Sequence, residues 1–352
     1  MRRKKRSSSH GTASPAGVRI GFNATLDRGG QSVRRLRHSL MRTLTPLQVG
    51  KRAGGALVGS AAAVIVCAFA TACTAIYIYP RYIYPICRPP AKVPAAARRF
   101  RRVGFRSVDG TRLAGWYGEG ARGRGTATII GCHGWAADKR DVLRLGEVLR
   151  ESGFNVLLFD FRGWGESDRG PVTFGDREMG DILGAVRFIK EQHPAEAGRI
   201  GIIGVSMGAA AAIRATAQSP DIAATVADSS YARLDVQVGR FFRRFMGPIW
   251  RIAGVPARWF GERLIGTPIG SPSPLQAIAN ISPRPVMIIQ GTRDSVVDVQ
   301  DARRLYQAAG APKTLWLVEG AGHAESRFAA MAEYDARVVG FFRRHLLGGV
   351  TI

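Results

Sequence analysis

The sequence predicts an α/β fold: a mostly parallel, eight-stranded sheet with helices on both faces and a small helical cap, preceded by one transmembrane helix. Three observations lead there. From Val103 onward, short apolar runs alternate with amphipathic ones, the pattern of strand and helix units. Most of these runs are apolar at every position rather than at every second one, which marks strands covered on both faces and therefore parallel. Before them, Ala53 to Pro80 pass without a charged residue, and a bilayer core needs about 20 apolar residues in a helix.

Composition divides the chain. It has 352 residues, 46% hydrophobic and 22% charged, a globular balance. The net charge of +25 is unevenly placed: residues 1–102 carry 20 Lys/Arg against one acid, Asp27, and residues 103–352 carry 31 against 25. The excess lies in the first part of the chain. Residues 1–52 read as a basic, disordered tail suited to anionic lipid headgroups. No aromatic interleaving or recognised motif accompanies the charge, so no nucleic-acid partner is expected. The run 53–80 is flanked by Lys51, Arg52 and Arg81 and ends in Tyr77 and Tyr79, with Tyr82 and Tyr84 beyond, as an interfacial belt would. Its length and its late start argue against a cleaved leader. The expectation is a single-pass membrane location. Six basic residues precede the run closely and five follow it, which leans to an extracytoplasmic catalytic domain. Residues 81–99, with Pro85, Pro89, Pro90 and Pro94, read as a stiff linker, and residues 100–352 as the catalytic domain.

The four cysteines, Cys67, Cys73, Cys87 and Cys132, form no C-x-x-C pair, and no His stands at metal-ligand spacing from them. Inert apolar thiols are expected, with no metal and no organic cofactor.

The elements follow in order. Residues 102–120 are expected to form a hairpin turning at Asp109-Gly110. Strands are expected over 126–132, 155–161, 199–205, 222–228, 285–291 and 313–319. Helices are expected over 141–153, 175–192, 207–218, 299–309 and 325–347. The interval from Asp228 to Pro285 is too long for a simple connection.

In a parallel sheet, sites lie at the carboxyl ends of strands. "GVSMG" (204–208) places Ser206 directly after a strand and at the start of a helix. The five-letter pattern is short, and the chain holds 43 glycines, so position has to carry the reading. A serine hydroxyl needs a base, and the base needs an orienting carboxylate. Of six histidines, His10 and His38 lie in the tail, His193 precedes Pro194 at a helix end, and His345 is on the last helix. His323 follows the last strand in a Gly-rich loop and is the best base. His133 follows the third strand. For the carboxylate, Asp294 lies just past the seventh strand. Asp298 is better placed to open the next helix, and Asp228 after the sixth strand is the runner-up. The chain order Ser206, Asp294, His323 is the Ser, Asp, His order of this type of fold.

At this point the chain from about residue 100 resembles an α/β-hydrolase fold serine hydrolase. The blocks are "HGW" (133–135), "FDFRGWGESDRG" (159–170), "GVSMG", "GTRDSVVD" (291–298) and "GAGH" (320–323). They are similar to the esterase-like branch that also resembles dienelactone hydrolases and prolyl-oligopeptidase-type domains. The resemblance implies an oxyanion hole from the backbone N–H groups of Met207 and Trp135. His133 is expected to fix the oxyanion loop rather than act as a base, with Gly134 beside it. Gly204 and Gly208 let strand and helix pack closely, Asp160 holds the loop after the fourth strand, and Arg162, Gly163, Gly165 and Ser167 shape it.

The resemblance also implies a helical cap over about 231–282, where Phe241, Phe242, Phe245, Trp250, Trp259 and Phe260 mix with arginines. A packed lid and a surface that receives a lipid-like acyl chain both fit this segment. The expected activity is membrane-anchored cleavage of carboxylic esters through an acyl-enzyme. The substrate would be a small-molecule ester or a lipid-like one. A peptidase or thioesterase with the same residues, or a tethered non-catalytic interaction protein, stands as the alternative.

Overall fold

The computed structural model describes residues 64–69, 93–121, 127–194, 198–270 and 272–348. Its centre is one eight-stranded sheet in the order β1-β2-β4-β3-β5-β6-β7-β8. β1 (Arg101–Arg106) and β2 (Arg112–Gly118) form the hairpin, with Arg106 opposite Arg112 and Gly110 at φ 86° in the turn. β2 runs antiparallel to β4 (Asn155–Phe159). From there β3 (Ala127–Cys132), β5 (Arg199–Val205), β6 (Ile222–Asp228), β7 (Val286–Gly291) and β8 (Lys313–Val318) continue in parallel. Every residue of β3, β4 and β7 is buried. This is why their apolar runs show no alternation.

The helices are α1 (Leu143–Glu151), α2 (Asp176–Gln192), α3 (Met207–Gln218), α4 (Leu234–Met246), α5 (Trp250–Ile265), α6 (Pro274–Ile278), α7 (Val299–Ala308), α8 (Ser326–Ala329) and α9 (Met331–Leu346). α1 and α9 cover one face through Leu145, Leu149, Val338 and Phe342. α2 and α3 cover the other through Ile182, Ile189, Ala211 and Ala215. α3 is made almost wholly of small residues, and that lets it lie deep against the sheet. α4 and α5, joined by a 3-10 turn at Gly247–Ile249, form the cap in the interval between β6 and β7. The helix expected over 325–347 is two pieces, because Ala330 adopts φ −140°, ψ 51° and interrupts the helical backbone. Before β1, the turn Ala95–Arg99 packs through Ala97, and Phe100 follows it into the core.

Among the described residues, no helix is long and apolar enough to cross a membrane. This corrects the expected single-pass anchor, the membrane location and the extracytoplasmic placement that depended on it. Within 53–80 the described residues are 64–69, and they are helical. The rest of that run, the tail 1–50, Cys73 and Cys87 lie outside the described residues.

Candidate active site

Ser206 stands between β5 and α3 with φ 53° and ψ −113°. A non-glycine residue at positive φ is strained, and strain of this kind collects where a side chain must be presented. The turn is held from both sides: Ser206 N–H donates to the Asp228 carbonyl at 2.8 Å, and Ala210 N–H donates to the Ser206 carbonyl at 3.1 Å. Two glycines make room for it. A Cβ on Gly204 would lie 2.4 Å from the Gly208 carbonyl oxygen, and one on Gly208 would lie 2.4 Å from that of His133. Neither backbone can give way without moving the serine.

His323 follows β8 in the loop 319–325. Asp294 follows β7. His323 Nδ1 lies 2.7 Å from Asp294 Oδ2, and Nε2 lies 2.9 Å from Ser206 Oγ. A carboxylate only accepts, so Nδ1 carries the proton and Nε2 is the acceptor for the serine hydroxyl. Asp294 is locked in place. Val296 N–H and Val297 N–H donate to Oδ1, and Gln290 Nε2 donates to Oδ2, each at 2.8 Å. The carboxylate is fully buried, and the imidazole is 7% exposed. The structure thus brings Ser206, His323 and Asp294 into one hydrogen-bonded chain at the carboxyl edge of the sheet. Asp298 instead caps α7 through Gln300 N–H. Asp228 accepts from three hydroxyls, those of Ser229, Ser326 and Tyr334.

The loop after β3 lies beside the serine: a Cβ on Gly134 would sit 3.6 Å from Ser206 Cβ. His133 is buried. Phe161 N–H donates to its Nε2 at 3.0 Å, so Nδ1–H donates to the Gly134 carbonyl at 2.7 Å. Burial lowers its pKa, which keeps the ring neutral. Both ring nitrogens are thereby occupied by backbone. Met207 begins α3, where the first N–H groups have no intrahelical acceptor and the dipole favours an anion. The ring of Trp135 meets Trp164 edge-on at 6.0 Å and stacks on Phe174 at 6.1 Å.

Among the supporting residues, Lys139 carries no signal that sequence reasoning can isolate, whereas Asp160, Arg162, Gly165 and Ser167 are those expected in the loop after β4. Lys139 is buried, its ammonium between Asp160 and Glu166 Oε2 (2.8 Å) and over the Trp116 ring. Its own N–H and that of Glu166 donate to the Asp160 carboxylate. Asp160 therefore ties the loop after β3 to the loop after β4. Gly165, at φ 53°, passes so close that a Cβ would overlap that carboxylate. Arg162 pairs with buried Asp181 and with Asp109, and Ser167 Oγ donates to the Asp160 carbonyl. Gln290, a polar residue within an otherwise apolar strand, carries a visible signal that the sequence reading did not use.

Phe174, at φ 54°, joins the site to the cap. Tyr231 OH donates to its carbonyl, and the Phe174 side chain packs, with Leu234 and Val238, against the buried Ile265 and Ile269. Gln237 Nε2 donates to the Val296 carbonyl, and Arg240 pairs with Asp301 at 3.0 Å, so α4 also rests on the Asp294 loop. Of the cap aromatics, Trp250 stacks on Phe242 at 4.7 Å, whereas Trp259 is 56% exposed under Arg263. His193 stacks on Tyr117, and His345 packs on Phe341. Cys132 is buried in β3, and burial pushes its thiol far up. Among the described residues, no group of His, Cys, Asp and Glu could hold a metal ion.

The family model of serine aminopeptidase, S33, matches residues 123–265. An uncharacterized protein of Mycobacterium tuberculosis is 30% identical over 244 residues, which is 69% of this chain and 79% of the relative. The uncharacterized protein YfhR of Escherichia coli K12 is 28% identical over 261 residues, 71% of this chain and 84% of its own. Among solved structures, the esterase Pf2001 of Pyrococcus furiosus superposes with a TM-score of 0.63 at 28% identity, covering 75% of this chain and 100% of its own. The eight-stranded order, the serine at the β5–α3 turn and these relatives agree, and the chain belongs to the α/β-hydrolase family, as a serine hydrolase-like member with esterase neighbours.

Proposed function

We propose that the protein hydrolyses carboxylic esters through an acyl-enzyme. Ser206 Oγ attacks the acyl carbon while His323 Nε2 takes its proton. His323 then delivers that proton to the leaving alkoxide. In the second half, His323 takes a proton from water, the hydroxide attacks the acyl-enzyme, and Ser206 regains its proton as the acid leaves. Asp294 holds the tautomer that makes this possible and balances the imidazolium. The N–H groups of Met207 and Trp135 receive the oxyanion, which sits at the positive end of α3. His133 keeps the Trp135 loop in register. The observation that carries the reading is the Ser206–His323–Asp294 chain at 2.9 and 2.7 Å on a strained turn.

Ester cleavage is favoured over aminopeptidase action by the cap. Residues 231–282 hold seven arginines and two acids. Asp235 pairs with Arg233 and Glu262 pairs with Arg258. Neither carboxylate is left to receive the ammonium of a peptide N-terminus. The aromatic and aliphatic groups between Trp135 and the cap suit an apolar acyl or alcohol group, including a lipid-like one. The test is Ser206→Ala with p-nitrophenyl esters and a fluorophosphonate probe. A loss on the order of 10⁴-fold or more, with no labelling, is expected. Retained turnover or labelling overturns the proposal.

A further inference from the structure

The end of β6 holds a second buried carboxylate that the proposed mechanism does not use. Asp228 is 2% exposed. Ser229 Oγ–H donates to its Oδ1 at 2.9 Å, Ser326 Oγ–H to Oδ1 at 3.0 Å, and Tyr334 O–H to Oδ2 at 3.0 Å. Among the described residues, no cationic side chain pairs with it. These three hydroxyls come from three places: the residue after β6, helix α8 directly behind the His323 loop, and helix α9. Ser229 Oγ also accepts from Ala324 N–H at 3.2 Å, the residue after His323. Both Ser229 and Ala324 sit at φ 57°, so this contact joins two strained turns. The Asp228 carbonyl, meanwhile, receives Ser206 N–H. One residue is therefore bonded to the segments that carry the serine and the histidine.

We infer that Asp228 is a positioning residue for His323: it fixes the histidine loop through Ser229 and Ser326 and supplies a second standing negative charge for the imidazolium that forms during acyl transfer. This rests on the reading of Ser206 as nucleophile and His323 as base. An uncompensated buried carboxylate is costly, and three hydroxyl donors only partly relieve it. A proton arriving on His323 gives that charge a partner. The titratable groups facing Asp228 are His323 from the loop and Tyr334 from α9. Arg327 and Asp335, whose charges act on Tyr334, pair with each other. Burial pushes the Asp228 carboxyl up to about 6, against the lowering by its three hydroxyls and by His323. Burial and the Asp228 charge push the Tyr334 hydroxyl well up, so it remains a donor.

Two substitutions in the full chain separate this role from simple packing. In Asp228→Asn the charge is gone at every pH. The plateau of kcat/KM for a p-nitrophenyl ester should fall about threefold, and the midpoint of its acid limb should move down by about half a pH unit. In Tyr334→Phe the charge remains but loses a donor, so Asp228 holds its proton to higher pH. That variant should reach the wild-type plateau at alkaline pH, with the approach drawn out upward. A structural role alone would scale both profiles by a pH-independent factor and leave the midpoints in place, and that result overturns the inference. If Asp228→Asn fails to fold, the profile of Tyr334→Phe decides alone. Ser206→Ala run in parallel separates the two levels. If it stays active, the reading of the site fails. If it is inactive while the other two profiles keep the wild-type midpoint, only the role of Asp228 falls.

Discussion

The turn that carries Ser206 and the cap above it are both helical regions with glycines, and they are built in opposite ways. At the turn, backbone meets backbone. A Cβ on Gly204 would lie 2.4 Å from the Gly208 carbonyl oxygen and one on Gly208 2.4 Å from that of His133; the same closeness recurs where β7 meets the His323 loop, at Gly291 and the Ala321 carbonyl oxygen. In the cap, side chains meet side chains, and open space remains. Gly239 in α4 has its nearest foreign atom at 3.9 Å, and Val255 is 76% exposed. Ion pairs such as Arg258–Glu262 hold it locally. Positions that fix a reacting atom tolerate no displacement, whereas a cover needs only to close over it.

The largest expected effect breaks this comparison at the turn. In Gly208→Ala, the gain in helix propensity is about 1 kcal/mol. The new methyl would have to displace the carbonyls of His133 and Cys132. Overpacking of that kind costs roughly 1–3 kcal/mol or more and shifts the backbone. Ester turnover should fall at least about 100-fold, because a displacement near 1 Å at the reacting centre has that effect. Thermal unfolding and kcat measured on the same sample check both halves.

A second expected effect comes from the same edge of the sheet and is read in stability. The carboxyl of Asp228 stands at about 6 against an ordinary 3.8. Its folded value is the higher one, so the folded state takes up a proton between these values while the unfolded chain does not. Stability therefore rises as pH falls through about 6 toward 4. A shift of about two units corresponds to about 3 kcal/mol. Lowered carboxyls such as Asp138, Glu166 and Asp176 act in the opposite sense, and over a lower range. The difference between wild type and Asp228→Asn removes them from the comparison. Denaturant unfolding at pH 7 and pH 4.5 should show wild type gaining on the variant by about 2 kcal/mol, the remainder appearing only below the unfolded value of 3.8. Parallel curves would contradict the buried, charged state of Asp228.

What can be read from the sequence follows the same division. The strands 199–205 and 222–228 and the helix 207–218 coincide with the observed elements, because buried apolar runs have sharp polar or glycine ends. Ser206, Asp294 and His323 can be found because each follows a strand, and strand ends converge in a parallel sheet. Lys139 cannot be found this way. Its partners Asp160 and Glu166 lie 21 and 27 residues away, and a lone lysine in a loop looks like any solvated charge. Asp228 fits the pattern of an orienting acid as well as Asp294 does. Their partners distinguish them: Asp294 reaches His323 Nδ1, whereas Asp228 accepts from three hydroxyls. The break at Ala330 leaves no trace in an alanine-rich stretch. In the N-terminal region, absence of charge suggested a membrane span, which the described helices do not support.

The smallest effect sharpens the comparison from the cap side. Gly239 lies within α4, flanked by Val238 and Arg240, and carries no positive φ. Its nearest foreign atom, Trp250 Nε1 at 3.9 Å, is at ordinary contact distance for a methyl group. Gly239→Ala therefore adds helix propensity without collision and should stabilise by about 0.5–1 kcal/mol. Turnover of short-chain esters should stay within about twofold of wild type, since no group that touches Ser206 or His323 moves. The same chemical change is thus expected to damage one region and strengthen the other. A fall in melting temperature or a large loss of turnover in Gly239→Ala would mean that the cap is as tightly fitted as the turn beneath it, and that the contrast in packing does not govern function.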